Sequence, residues 1–446
     1  MGSLLLPAVA FYQNMDATGR PCKKIAIARP FRSGFYSDIC GHENTGKPQD
    51  LPVMKPEIRL LLVSFLLLVF VSNVKGQLSS RAQISVITCG PGADLYATFG
   101  HSAFRVQDPV NGLDVVYNYG TFNFNTPNFY LKFARGKLLY SLSREPFEDF
   151  LYTYQLEKRW VKEQILQLSS PERNELFRFL ETNYEPANRD YKYDFLFNNC
   201  STKIPDVLSR VLGDRLSFDE NYLEEQFTFR QLIQQYLETN SWSSLGIDLA
   251  LGAVIDRKAK PLEHMFLPDY VYAQLNHSLL GGKPLVLRER TILQDQGPAN
   301  GAYFTLTPAF WLALLLLFTI TITYIDYKNG SRSQALDFLM LFITGTTGLV
   351  IIFLWFFTDH TATVWNFNLL WAFPLNLFLA FYLLRRGSGT RRIPVFMVAL
   401  LTLLALVPVL WITGIQLFSP LLIAIWCSLA LRYLFLYRHY KFLKAP

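Results

Sequence analysis

From Tyr303 onward the chain is dominated by apolar segments of bilayer-crossing length, and no water-solvated fold accommodates that pattern. The segments run over about 304–325, 336–357, 365–384, 393–413 and 418–436, each close to the roughly 20 residues a membrane-spanning helix requires. Their connections alternate in charge. Lys328 and Arg332 occupy the first, and the second, Thr358-Asp359-His360-Thr361, has neither Lys nor Arg. The third carries Arg385, Arg386, Arg391 and Arg392, the fourth, around Gly414-Ile415-Gln416, none, and the tail Arg438, Lys441 and Lys444. Positive loops stay on the cytoplasmic side. Residues 303–446 are therefore expected to form an all-α five-helix transmembrane domain, entered from outside and ending in the cytoplasm. Pro374 and Pro394 fall near helix ends, where a missing N–H costs little.

Composition agrees: 51% of the 446 residues are hydrophobic and 17% charged. The net charge of +7 does not indicate nucleic acid, because much of the basic charge flanks apolar segments. No run of Lys and Arg with interleaved aromatics marks a nucleic-acid groove.

A second, shorter apolar run, Leu60–Val71, follows Lys55 and Arg59 and precedes Val74-Lys75-Gly76. A basic start, a short apolar core and small exit residues describe a secretory signal peptide over 54–76; a retained anchor helix is the alternative. The leader begins at Met54. Residues 1–53 show no sustained helical or strand periodicity, and are expected to be a disordered upstream extension foreign to the native protein.

Between leader and membrane region lies an expected exported α+β domain, 77–302. Residues 83–88, 103–107 and 114–119 alternate as strands do. Residues 170–184 open with Ser-Pro-Glu-Arg, a helix start, and 200–213 reads as a second helix with Gly213 as its cap. The five cysteines, Cys22, Cys40, Cys89, Cys200 and Cys427, form no CxxC pair and no zinc spacing, so neither metal nor cofactor is expected. Cys427 reads as a packing residue.

Cys200, at a helix start, meets free N–H groups that stabilise a thiolate and an oxyanion. His101, in Phe99-Gly100-His101-Ser102, is the other reactive candidate, a general base and then acid for the thiol. Asn118 on the next strand would orient the ring, and Tyr117, Tyr119 and Asn199 fit that role equally. The same residue types also fit a structural histidine, or a Cys89–Cys200 disulfide that removes the nucleophile. On the outer loop, Asp359, His360, Asn366 and Asn368 stand at the membrane face of the exported domain, as a substrate mouth or as an ordinary interfacial loop.

Three blocks, ITCGPGADLYATFGHSAFRV (87–106), VVYNYGTFNF (115–124) and YDFLFNNCSTKIPDVL (193–208), resemble the Lnb family of bacterial lipoprotein N-acyltransferases. The order of His on a strand before Cys at a helix start is similar to permuted papain-like enzymes of the NlpC and lecithin:retinol acyltransferase type. The resemblance extends over about 80–300 and into the outer loop TDHTATVWNFNLLW. It implies a papain-like exported domain in the periplasm of a Gram-negative bacterium, anchored in the inner membrane. It implies transfer of a fatty acyl chain, from a membrane phospholipid through a Cys200 thioester, to the α-amino group of the lipidated N-terminal cysteine of diacylated lipoproteins. His101 would be base and acid, Asn118 the orienting residue, and Tyr119, Asn199, Asp359 and His360 substrate-contacting positions.

Two other readings use the same residues. A membrane-anchored papain-like hydrolase or amidase acting on cell-wall peptide would pass the acyl group to water, and would need no five-helix bundle. A non-enzymatic membrane sensor would tolerate Cys200→Ala.

Overall fold

The computed structural model describes residues 10–15, 21–26, 77–296, 303–384 and 392–442. The leader lies outside the described residues. Upstream, Ala10–Met15 (β1) and Pro21–Ala26 (β2) pair antiparallel, where the sequence pattern predicts no regular element. Pairing across a short connection needs only local backbone hydrogen bonds, which leave no hydrophobic periodicity to read.

The region before the apolar helices is built on one antiparallel sheet of seven strands. These are Gln83–Cys89 (β3), His101–Asp108 (β4), Leu113–Thr121 (β5), Leu139–Pro146 (β6), Val161–Leu166 (β7), Asp190–Lys192 (β8) and, after a smaller sheet, Val286–Leu293 (β12). The order across the sheet is β12-β7-β3-β4-β5-β6-β8. The smaller sheet joins Leu216–Phe218 (β9), Ser278–Leu280 (β10) and Lys283–Pro284 (β11).

Alternation along the central strands sends side chains to two faces. On one face Phe104, Val106, Tyr117 and Tyr119 meet Leu176 and Leu180 of helix Ser170–Tyr184 and Ile204, Val207 and Leu208 of helix Lys203–Leu212. On the other, Ile87, Ala103 and Val116 meet Phe150 and Tyr154 of helix Phe147–Leu156. In chain order the helices of this region are Phe129–Ala134 (α1), Phe147–Leu156 (α2), Ser170–Tyr184 (α3), Lys203–Leu212 (α4), Phe229–Gln234 (α5), Trp242–Ala250 (α6) and Pro268–Asn276 (α7). The cap of α3 is Ser169, one residue before the expected position, in a box with Glu172. Gly213 closes α4 at φ +59 as expected. The helix itself starts at Lys203, so Cys200 lies in the turn ahead of it rather than in its first turn.

Five helices follow among the described residues: Pro308–Asn329 (α8), Gln334–Phe356 (α9), Asn376–Leu384 (α10), Ile393–Ile412 (α11) and Leu422–Phe442 (α12). Three of them, α8, α9 and α11, are long and apolar enough to cross a membrane. α12 carries Arg432 and Arg438 within its length. The expected helix over 365–384 is shorter than its apolar run. Residues 367–370 make a tight 3-10 turn and the α-helix begins only at Asn376. Pro374 lacks the N–H that an earlier start would use. Irregular backbone at this depth is tolerated because protein covers it. A Cβ at Gly348 would stand 2.0 Å from the Ala372 carbonyl oxygen, and one at Gly345 2.3 Å from Leu377 N. These two glycines give α9 a flat face for the irregular segment.

Midway along α12, between the end of α8 and the start of α9, Arg432 is 1% exposed. It bridges Asp326 at 2.7 Å and Asp337 at 2.5 Å, tying three helices with one guanidinium.

Candidate active site

β5 breaks register with β6 between Asn118 and Thr121, and Gly120 in that bulge has φ +92. A bulge re-aims side chains beside it. Asn118 turns toward the first residue of β4, His101, and its Oδ1 lies 3.1 Å from His101 Nε2. The neighbouring phenols take no part in this contact. Tyr117 donates to Glu181, and Tyr119 accepts from Asn183 Nδ2 at 2.8 Å. Of the orienting residues the sequence leaves open, the structure puts Asn118 beside the imidazole.

The amide orientation of Asn118 is fixed from behind. Its Nδ2 donates to Glu145 Oε1 on β6 at 2.6 Å, and a carboxylate only accepts. Asn118 Oδ1 must then accept from His101 Nε2–H, which leaves Nδ1 as the basic nitrogen. Glu145 carries no sequence signal of its own. It is brought to Asn118 only by the pairing of β5 and β6.

The Cys200 thiol lies within hydrogen-bonding reach of His101. Burial pushes the thiol up, but the imidazole's charge and hydrogen bond, with the Ser102 N–H, bring it down to about 7. Burial in turn opposes charge on His101, and the Cys200 thiolate more than offsets it, so the imidazole is raised above its ordinary value. The two shifts favour a thiolate beside an imidazolium, the charge state that activates a cysteine toward nucleophilic attack.

Cys89 is free, and so is Cys200, so no bridge ties up the thiol beside His101. Cys89 sits opposite His101 on β3, buried, and desolvation pushes its thiol up to about 12. The two exported cysteines are separated in chemistry by environment alone.

Asn199, 3% exposed, turns its amide to the backbone. Its Oδ1 accepts from the N–H groups of Ser201 and Thr202 at 2.8 and 2.9 Å, and its Nδ2 donates to the carbonyls of Phe195 and Phe266, both at 2.8 Å. Its amide holds the Cys200 turn, and the residue also lines the cavity beside the thiol.

His101 and Cys200 open on a cavity of about 660 Å³. Tyr119, Phe122, Phe129 and Phe195 contribute to an aromatic wall, with Gly120 beside the thiol: a Cβ there would be 3.5 Å from Cys200 Cβ. The outer membrane loop closes the cavity with Asp359, His360, Thr361 and Ala362. Asp359 accepts from Lys192 Nζ at 2.6 Å, and Thr361 donates to Asp194 at 2.7 Å. The Lys192 hydrogen bond, ahead of its charge, holds the Asp359 carboxyl below the usual carboxylate range. Asn366 and Asn368 have a different task. Both are fully buried, and they donate to the carbonyls of Leu249 and Asp248 on α6, at 2.8 and 3.3 Å. Among the described residues, no cluster of His, Cys, Asp and Glu is arranged to hold a metal ion.

The grip on the loop is buttressed by Arg230, 1% exposed, which binds Asp248 at 3.0 Å and Asp256 at 2.8 Å and reaches the Gly252 carbonyl at 3.1 Å. Gly252 N–H donates to Ala362 O at 2.9 Å. Neither Arg230 nor Gly252 carries a sequence pattern that announces this duty.

Comparison with known proteins matches the same two regions. The Lnb N-terminal periplasmic domain matches residues 73–235, and the Lnb transmembrane domain matches residues 300–442. No curated protein and no solved structure matches. In order, extent and spacing the two matches account for most of the chain, which belongs to the Lnb family: a periplasmic N-terminal domain followed by a C-terminal membrane region.

Proposed function

We propose that the protein is a lipoprotein N-acyltransferase working at the outer face of the inner membrane. One observation carries the reading: a cysteine with its thiol lowered to about 7, beside an imidazole, in an aromatic-walled cavity closed by a loop of the membrane region. A cell-wall amidase has no use for that loop.

In the proposed reaction, Cys200 thiolate attacks the ester carbonyl of a phospholipid acyl chain. The C–O bond breaks, and His101 imidazolium gives its proton to the departing lysophospholipid alkoxide. The acyl group stays on sulfur as a thioester, its chain among the aromatic side chains. The α-amine of a diacylated lipoprotein's N-terminal cysteine then attacks, His101 takes a proton from the nitrogen, and the C–S bond breaks to give the amide and free Cys200. Asn118 and Glu145 keep the same imidazole nitrogen toward sulfur in both half-reactions. Excluding water favours the amine over hydrolysis. Tethering at the membrane confines both lipid-anchored substrates near the thiol and raises their effective concentration.

We also infer a papain-like arrangement of the domain over 77–302 and a membrane region over 303–446. Five crossings would place the tail in the cytoplasm, consistent with Arg438 and Lys441 there. A leader over 54–76 completes this organisation.

The test is mass spectrometry of a reporter lipoprotein's N-terminal peptide, from cells carrying the wild type, Cys200→Ser or His101→Ala. Triacylation with the wild type alone is expected. Triacylation persisting in both variants refutes the assignment, and release of free fatty acid without N-acylated product favours hydrolysis.

A further inference from the structure

The cavity wall formed by Phe122–Lys137 has the wrong surface for water. Tyr130 is 80% exposed, Phe124 64%, Leu131 56% and Phe133 52%. Beneath them Phe129 is buried and touches the rings of Phe124 and Tyr130 at 4.9 and 5.4 Å, so the group is held as one body. Its small core, with Leu138 and Tyr140, is separate from the main cores of the domain.

The level of this segment relative to the bilayer follows from its contacts. Asp359 N–H donates to Arg135 O at 2.9 Å. Gly136, at φ +64, admits the loop so closely that a Cβ there would be 3.2 Å from His360 N. α9, a helix of membrane-crossing length, ends at Phe356. Three residues of chain span about 11 Å at most, so Arg135 is held near the outer end of that helix. Trp355 and Trp365, rings 5.2 Å apart, mark the same zone with the aromatic pair typical of a membrane interface. Charge points the same way: between Asp114 and Glu145 there is no carboxylate, while Lys132, Arg135 and Lys137 cluster here.

We propose that Phe122–Lys137 is a lipid-seated gate. Phe124, Tyr130, Leu131 and Phe133 sit among the acyl chains of the outer leaflet, the cations meet phosphate groups of the headgroups, and a phospholipid chain enters the cavity between α1 and the loop Asp359–Ala362. The entering chain as substrate rests on the acyl-transfer reading; the seating of the segment does not.

The experiment uses the full chain in phosphatidylethanolamine/phosphatidylglycerol nanodiscs, doped with a phospholipid bearing a diazirine near the acyl carbonyl. After irradiation, adducts are mapped by peptide mass spectrometry. Adducts are expected on 124–133 in the wild type and in Cys200→Ser, and none at Val110, which is 60% exposed but at the far end of β4 from His101. Leu131→Asp should remove those adducts and lower transfer at least tenfold, with Cys200 alkylation by iodoacetamide unchanged. Adducts confined to residues 308–442, or protein–protein crosslinks replacing them at 124–133, overturn the proposal. Adducts with no triacylation by the wild type would sink the acyl-transfer reading and leave the gate standing.

Discussion

Replacing His101 by Ala tests the electrostatic core of the site directly. In the wild type the Cys200 thiol titrates at about 7, and the imidazole is the main influence opposing burial. Remove it and burial stands against only the hydrogen bonds of Ser102 and Ser201, so the thiol moves back up toward its ordinary 9.0. A thiol at 7 is about half ionised at neutral pH and one at 9 about 1% ionised, so thiolate falls roughly 50-fold. The sign is definite: thiolate increases with rising pH through the thiol's titration, so the deficit is large at pH 7 and vanishes well above 9. Because the two groups are coupled, the wild-type midpoint belongs to the pair. The assay is iodoacetamide labelling across pH, read at the Cys200 peptide. Cys89, buried and pushed up to about 12, serves as an internal control that should stay unlabelled at neutral pH. A His101→Ala protein labelled at the wild-type rate at pH 7, or a wild-type midpoint near 9, refutes the ion-pair reasoning.

Three further outcomes are expected. Glu145→Gln turns the charged hydrogen bond that orients Asn118 into a neutral one, which can also flip, a loss of about 1–1.5 kcal/mol; acyl transfer should fall roughly tenfold at unchanged KM for lipid, with partial recovery in Glu145→Asp, and an unaltered rate removes Glu145 from the positioning of Asn118. Gly252→Ala drives a Cβ to 1.9 Å from Val364 O, and thermal unfolding in detergent should show a loss of about 1–3 kcal/mol, with an unchanged midpoint contradicting the tight loop contact. Arg432→Ala leaves Asp326 and Asp337 buried without their shared partner, a loss of about 3–5 kcal/mol that denaturant titration of the purified protein would detect.

The parts of the structure legible in the sequence are those written in local patterns. Strand alternation marked the cores of β3, β4 and β5, the Ser-Pro start marked α3, and segment length with arginine placement marked the helices after Tyr303. His101 and Cys200 were legible as a candidate pair because few residue types serve as base and nucleophile, and the fold brings them together. What escaped is set by pairing at a distance. Glu145 meets Asn118 through strand register, and Asn199 spends its amide on backbone groups from two separate loops. α1 is only six residues long, too short for a periodicity, and its importance lies in neighbours more than two hundred positions away. The late start of α10 was hidden because apolar content measures burial, not backbone conformation.

Arg230, sunk between two aspartates beneath Gly252, makes the outer loop part of the domain's own framework. The cavity is therefore co-owned: His101 comes from the sheet, Cys200 from the turn before α4, and the covering residues from the loop between α9 and α10. Severing the chain before Tyr303 would leave thiol and imidazole in place but unroof them to solvent. In the proposed reaction such a fragment would squander its acyl thioester on water, and the anchoring helices would govern the fate of the intermediate as well as its address.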